Sequence, residues 1–481
     1  MPKSLNKLAL LMVLFFTYCA TSYPASLPLS FNNCEITLDE SLEIMNKIES
    51  DNEIKIEIRI VKQVTDREEC IDMVLGTNLI QGSELKDGDL VDLVVGIKKN
   101  AVTESLKLSE YELYLQQLSD KGIEELNLIE APNFGEASID IVIEGQNIVS
   151  FIRVNNPLNF NYMFSETEGF IYGVDSEKNV VEVLDLSDQT RTQRESGLHT
   201  FDFMNLNSKD YLVVTYTGVD NKYHLSAFEV LPDLELGNEE SLAIISDGNV
   251  ETTKIHWGGK ILQKDQDIIL CLGDLESPGH SAKFDTLWGK VFSISKTDLL
   301  ENPLTEVSDP RINYLAFGLR NPWSCFFQND SLIIPDVGNS HWEEINIIEN
   351  IDNIEEPVFF GWPWFESYFN ANYPSTPVDI ETQNELIEST VFPNYVFPHG
   401  NDYCAVIGGT ELINSTKWKD YFFVGDFCTG TIWAINVQKA SEVIVLEKNL
   451  IPYSITTIND SGNGTLLVGT TSGQIIEVTL P

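Results

Sequence analysis

The sequence predicts an all-β protein, a β-propeller, with a small α+β domain ahead of it. Three observations carry that prediction. From about Ile139 onward, short apolar runs recur at closely similar intervals with polar turns between them. A turn-strand pattern repeats in degenerate form, as Asp265-Gln-Asp-Ile-Ile-Leu-Cys-Leu-Gly-Asp274, Asn329-Asp-Ser-Leu-Ile-Ile-Pro-Asp336 and Asn463-Gly-Thr-Leu-Leu-Val-Gly469. Helical periodicity is nearly missing from the same stretch. Many short strands in succession mean a sandwich, a barrel or a propeller. A run of this length exceeds one sandwich and suits several four-stranded blades.

Taken in chain order, the first element is a leader. Lys3 and Lys7 precede the apolar run Leu8 to Phe16, and Ala20-Thr-Ser22 supplies small residues, so residues 1–22 read as a signal peptide. A membrane anchor is the alternative, but the run is shorter than the roughly 20 apolar residues a spanning helix needs. The product is therefore expected to be secreted or periplasmic and not an integral membrane protein. Loss of the leader leaves Cys34, Cys70, Cys271, Cys325, Cys404 and Cys428. An even number in an exported chain favours disulfides. Closeness along the chain suggests Cys34–Cys70 and Cys404–Cys428, leaving Cys271 with Cys325. None has the C-x-x-C spacing of a zinc or redox motif.

Residues 31–135 read as the small α+β domain. Leu38, Leu42, Ile44, Met45 and Ile48 fall near helical spacing, with Asp39 or Ser41 as a cap. Glu53 to Val61 alternates strictly and reads as a half-buried strand, and a second helix is expected from Ser109 to Lys121. Pro132-Asn-Phe-Gly135 punctuates the chain there. Beyond it the strands expected include Phe170 to Val174, Val180 to Leu184, Tyr211 to Tyr216, His224 to Val230, Ile268 to Leu272, Lys290 to Ile294, Ser331 to Ile334, Tyr421 to Val424, Thr431 to Ile435 and Gly464 to Gly469.

Composition narrows the partners. The 481 residues carry 30 Lys+Arg against 74 Asp+Glu, a formal charge of −44, with 43% hydrophobic content. An ordinary core under so acidic a surface argues against nucleic acid or anionic membrane, because binding a polyanion needs clustered Lys and Arg. Gly258-Gly259 and Gly408-Gly409 lack P-loop and dinucleotide spacing. No Gly-x-Ser-x-Gly elbow stands between a strand and a helix. Asn329, Asn414, Asn459 and Asn463 each begin an Asn-x-Ser/Thr site, which matters in a host that glycosylates.

Ordered segments then suggest a family. They are Lys254-Ile-His-Trp-Gly-Gly-Lys-Ile261 with Leu270-Cys-Leu-Gly-Asp274; Leu287-Trp-Gly-Lys-Val-Phe-Ser-Ile294; and Leu315-Ala-Phe-Gly-Leu-Arg-Asn-Pro-Trp323 with Ile334 to Ile348. Phe360-Gly-Trp-Pro363, Ile407-Gly-Gly409 and Tyr421 to Trp433 complete the set. Together, over residues 138–481, these resemble the glucose/sorbosone dehydrogenases, the soluble quinoprotein sugar dehydrogenases and their noncatalytic relatives. The resemblance implies a six-bladed propeller holding pyrroloquinoline quinone (PQQ) and calcium at the mouth of its channel, and a small-molecule sugar substrate. It leaves the electron acceptor unspecified.

Site residues follow from the same resemblance. His256 is similar to the family's catalytic base, a role that wants a group titrating near neutrality. Arg320 and Asn321 match the pair that contacts the quinone; a guanidinium offers a fixed fork of donors to carboxylate or quinone oxygens. Gly338 and Asn339 match positions whose carbonyls hold the cofactor's calcium, and Glu344 with the carbonyl of Phe360 resembles a second calcium site. Three departures stand beside these matches. Ile255 occupies the place of an Asp that precedes the base, Glu195 that of a cofactor-side Gln, and Asp426 with Thr429 replaces basic residues. Arg320, Lys254, Lys260 and Lys290 are left to compensate the three carboxylates of the quinone. The alternative is a noncatalytic module on the same scaffold that binds carbohydrate or protein.

Overall fold

The computed structural model describes residues 26, 28, 31, 34, 36–65, 70–77, 85–98, 124–125, 137–145, 147–246, 253, 255–339, 342–367, 369–371, 378–399, 404–437, 443–447 and 455–481. The leader, the helix expected from Ser109 to Lys121 and Lys254 lie outside the described residues.

Near the N-terminus, a helix spans Leu38–Asn52, and its cap is Thr37 rather than Asp39 or Ser41. Thr37 Oγ1 accepts the Glu40 N–H and Glu40 reaches back to the Thr37 N–H, a reciprocal capping box. Three strands form its sheet, with Asp89–Lys98 in the middle, parallel to Ile56–Thr65 and antiparallel to Val74–Thr77. Met45 and Ile48 of the helix pack on Val74, Val91, Leu93 and Val95. The strand expected from Glu53 begins three residues later because Glu53 takes a left-handed conformation that ends the helix.

The rest is a six-bladed β-propeller, as expected. The first blade is Val149–Arg153, Tyr162–Glu166, Phe170–Val174 and Val180–Asp185, and the second runs from Leu198–Leu206 out to Leu236–Ile245. Inner strands of the remaining four are Gly258–Lys264, Phe326–Gln328, Val406–Glu411 and Ile455–Asp460. The ring closes where Ser138–Ile143 joins the last blade, pairing with Ile475–Thr479 from Ile143↔Ile475 to Ser138↔Thr479. One blade thus holds both ends of the ring. A further strand, Glu124–Glu125, runs parallel to Tyr395–Pro398 at the edge of the fourth blade. Two short helices that periodicity did not show, Lys296–Glu301 and Ile380–Glu388, lie in connections between strands.

Antiparallel alternation sorts the loops into two sets. The connection into each inner strand and the turn between second and third strands fall at one end of the ring; the turn between first and second strands falls at the other. The core is layered between blades. Ile261, Leu270 and Phe292 of the third blade, for example, face Val213, Leu225 and Leu242 of the second. Around the axis the inner strands carry charge. Arg153 meets Asp202 at 2.8 Å, and Lys260 of the third blade places its Nζ 3.4 Å from the Gly409 carbonyl of the fifth and 4.8 Å from the Phe151 ring. Lys260 therefore reaches across the channel, where burial and the nearby Arg153 push its amine down to about 7.

The three disulfides are those that proximity suggests, Cys34–Cys70, Cys271–Cys325 and Cys404–Cys428. Cys271, in the second strand of the third blade, is tied to Cys325 just before the fourth blade's inner strand.

Candidate functional site

His256 sits in the connection into the third blade, two residues before Gly258–Lys264. Its backbone adopts φ +59°, the left-handed region, which costs a non-glycine residue about 1 kcal/mol unless neighbours hold it. They do: its N–H donates to Glu195 Oε2 at 2.6 Å and its carbonyl accepts the Leu275 N–H at 3.2 Å. Gly273 is needed at this point, since a Cβ there would stand 2.2 Å from the His256 carbonyl oxygen.

The imidazole is positioned by Asp274, the last residue of the Leu270-Cys-Leu-Gly-Asp274 segment, a role that the family resemblance did not point to. Asp274 follows the second strand of the same blade, Asp267–Leu272, so hairpin geometry returns it to the end where His256 lies. Its Oδ1 is 2.7 Å from His256 Nδ1 and its Oδ2 accepts the Trp362 indole N–H at 2.9 Å. The carboxylate is wholly buried and acceptor-only, so Nδ1 carries the hydrogen and Nε2 is the basic nitrogen. Ile255, in the place of the expected orienting Asp, is a buried core residue. The orienting carboxylate comes from another position instead. The signal for it was Gly273-Asp274 at the end of a strand.

Arg320 and Asn321 lie in the connection into the fourth blade. Their N–H groups donate to Asp336 Oδ2 and Oδ1 at 2.9 and 2.6 Å, so one carboxylate shapes the turn. Arg320 Nη1 donates to the Val337 carbonyl at 3.0 Å, and the guanidinium carbon lies 5.8 Å from the Trp362 ring centre. The Arg320 carbonyl accepts the Asp274 N–H at 2.7 Å, and Asn321 Oδ1 accepts the Gly258 N–H at 3.1 Å. These bonds bring His256, Asp274, Arg320, Asn321 and Trp362 to one place at one end of the ring.

Three acids nearby, Glu195, Asp336 and Glu344, are shifted toward their neutral forms. Burial pushes the Glu195 carboxyl up, against the pull of His256 and Arg320, and burial pushes Asp336 up to about 7 despite its two backbone bonds. Asp336, Glu343 and Glu344 are all buried. Glu343 Oε2 accepts the N–H groups of Val406 and Gly338, at 2.8 and 3.4 Å, and its other oxygen meets His399. Asn339 and Trp342 donate to Glu366 Oε1 at 2.8 and 3.1 Å. Glu344 accepts the Ser367 N–H, and burial together with Asp336 raises its carboxyl well above the usual range. Phe360 belongs to a different hydrogen-bond set, its N–H donating to Phe317 of the third blade at 3.0 Å.

Other expected members are turned to main-chain groups. Lys290 is wholly buried, with its Nζ on the carbonyls of His280 and Trp288 at 2.8 Å each, and Lys260 lies in the channel. Neither is presented to a ligand at the mouth. Asp426 is also internal: it accepts the N–H groups of Cys404, Ala405 and Thr429 and the Thr429 hydroxyl, and organises that turn. Among the described residues, no group of three or more His, Cys, Asp or Glu side chains is arranged to hold a metal ion.

The donor set suits one carboxylate of a planar anion. Arg320 has a guanidinium edge left beyond Val337, a Trp362 face lies beside it, and Glu195 and Asp336 are held toward neutrality by burial.

Comparison with known proteins agrees with this architecture. The Glucose / Sorbosone dehydrogenase family model matches residues 156–477. Two Arabidopsis thaliana proteins are similar: HIPL2 protein, 27% identical over 207 residues, 41% of this chain and 26% of that protein, and HIPL1 protein, 32% identical over 111 residues, 22% and 13%. The chain thus spans about a quarter or less of the curated relatives it matches. In three dimensions it resembles the PQQ-bound aldose sugar dehydrogenase of Streptomyces coelicolor, with 16% identity and TM-score 0.56 over 73% of this chain and all of that one. The apo-form of the soluble aldose sugar dehydrogenase of Escherichia coli gives 16% identity and 0.56 over 72% and 100%. At this identity the likeness is one of fold.

Proposed function

We propose that this chain, which belongs to the glucose/sorbosone dehydrogenase family, oxidises the hydroxyl of an aldose or related sugar, with PQQ as the redox cofactor held at the mouth and calcium beside it. The observation that carries the reading is the single hydrogen-bonded set linking His256, Asp274, Trp362 and Arg320. When bound, the quinone supplies a two-electron acceptor for the sugar's hydride.

The chain's own residues do the rest. His256 Nε2 takes the hydroxyl proton as the C–H bond gives up its hydride, leaving the sugar oxidised by two electrons. Asp274 keeps the Nδ1 hydrogen in place and stabilises the imidazolium that forms. Arg320 would pair with a carboxylate of the cofactor, while Asn321 fixes the distance between the two connections through Gly258. Gly338 would offer its carbonyl to calcium. The Asn339 N–H points at Glu366, and in a planar trans peptide the Gly338 carbonyl then points away from that acid. Asn339 would add its carbonyl to calcium, and Lys254 would be a further cation for the carboxylates of the quinone. Export fits residues 1–22 as a leader and the three disulfides of the folded chain.

A second reading, a noncatalytic module that binds carbohydrate or protein, is favoured by one observation. Lys260 and Lys290 are committed inside the propeller, which leaves few cations for a ligand with three carboxylates. Reconstitution separates the two. The protein is mixed with PQQ and calcium, desalted, and assayed with a panel of aldoses and an artificial electron acceptor. Retained quinone absorbance and turnover are expected, with His256→Ala lowering kcat by about 10²-fold or more at unchanged quinone retention. No retained quinone and no turnover would eliminate the enzyme.

A further inference from the structure

We infer that the end of the propeller opposite the mouth is an N-glycosylated surface, with Asn329, Asn414 and Asn463 as acceptors and Asn459 left bare. The inference is independent of any chemistry at His256. All four asparagines begin Asn-x-Ser/Thr sites. Sequence alone makes them equivalent, and the fold does not.

Asn329 is the tip of the turn joining Phe326–Gln328 to Ser331–Asp336, Asn414 lies between Val406–Glu411 and Tyr421–Asp426, and Asn463 lies between Ile455–Asp460 and Thr465–Thr470. Each is therefore a turn between first and second strands, in three successive blades. That places all three at the end away from His256, Asp274 and Arg320. The loops are joined into one surface: the Asn329 N–H donates to Glu411 Oε2 at 3.1 Å, the Ile413 N–H to Asp460 Oδ2 at 3.2 Å, and Asn414 Nδ2 to the Gly462 carbonyl at 3.0 Å.

Accessibility then divides the set. Asn329, Asn414 and Asn463 are exposed, whereas Asn459 is 7% exposed and donates its amide to Thr457 Oγ1 at 2.8 Å within the innermost strand. A sugar on Asn459 would have to occupy the packed space between blades. Asn463 is presented most favourably. Its Oδ1 accepts both the Thr465 N–H, at 3.2 Å, and the Thr465 hydroxyl, at 2.9 Å, an Asx-type turn that turns Nδ2 outward. Asn414 keeps one amide hydrogen after substitution, enough to retain its bond to Gly462.

The co-reactant is a lipid diphosphate-linked oligosaccharide. A bond forms between the asparagine Nδ2 and the anomeric carbon, the bond from that carbon to the diphosphate oxygen breaks, Nδ2 loses one proton and the lipid diphosphate leaves, with no change of oxidation state. Three glycans here would cover one end of the ring and leave the mouth open.

The full chain, with its own leader, is expressed in a eukaryotic secretory host, and the secreted protein is digested with and without an amidase that removes N-glycans and leaves aspartate. Mass-marked aspartate is expected at 329, 414 and 463 and not at 459. Asn329→Gln, Asn414→Gln and Asn463→Gln should each remove one glycan's mobility, and Asn459→Gln none. Absence of glycans on the secreted chain, or a glycan on Asn459 of folded protein, overturns the assignment.

Discussion

At the scale of single residues, the site depends on how Asp274 holds His256. Asp274 accepts from both the imidazole and the Trp362 indole, and neither oxygen is exposed to water. Asp274→Asn keeps the shape but presents a donor to one of two donors, so the imidazole is driven to the wrong tautomer. A fall in kcat of about 10²–10⁴-fold is expected, with KM and quinone retention little changed; an unchanged kcat would remove Asp274 from the positioning role. Lys260 makes a separate prediction about stability. Its folded amine titrates at about 7 against an ordinary 10.5, so between those pH values the unfolded chain holds more protons than the native one. Stability from this group therefore rises as pH increases from 7 toward 10.5, and its cost is fully present below 7. Lys260→Met should raise the melting temperature more at pH 7 than at pH 9.5, as read by calorimetry at both values.

At the scale of elements, the connections into the inner strands do the positioning, and the strands supply a rigid frame for them. The Cys271–Cys325 bridge ties the second strand of the third blade to the connection that carries Arg320 and Asn321. Both sulfurs are fully buried in the layer between Ile269 and Leu332. Replacing the pair by alanine should lower unfolding stability by about 2–4 kcal/mol, read from denaturant midpoints. A change below 1 kcal/mol would show the bridge to be dispensable. Local rules explain which elements the sequence showed. Phe170–Val174 matches the expected strand, and Lys290, Ser331 and Tyr421 are the expected strand starts, because alternating or continuous apolar runs end at turn residues. Helix Ile380–Glu388 was missed because its nine residues hold only Ile380, Leu386 and Ile387 as apolar positions, too short a run to repeat a helical period.

At the scale of the whole molecule, the 481 residues carry a formal charge of −44. Self-repulsion of that size weakens the compact state, and salt screens it with a Debye length near 10 Å at 0.1 M. The melting temperature should rise as sodium chloride is increased from about 0.01 to 0.15 M, in calorimetry without calcium; a fall would mean that ion pairs outweigh repulsion. The sequence by itself determined the strand-rich class, the propeller resemblance, the disulfide pairing and the identity of His256, Arg320 and Asn321 as residues to watch. These are legible because apolar period, turn chemistry and short ordered motifs act over a few neighbouring residues. Only the tertiary structure decided that Asp274 supplies the carboxylate for His256, that Lys260 and Lys290 face inward, that Asp336, Glu343 and Glu344 are buried, and that Ser138–Ile143 closes the ring with the last blade. Those outcomes depend on which strands become neighbours around an axis. His256 and Asp274 meet across a hairpin 18 positions wide, and Ser138–Ile143 meets Ile475–Thr479 from the far end of the chain, so apolar period and turn chemistry do not report either pairing.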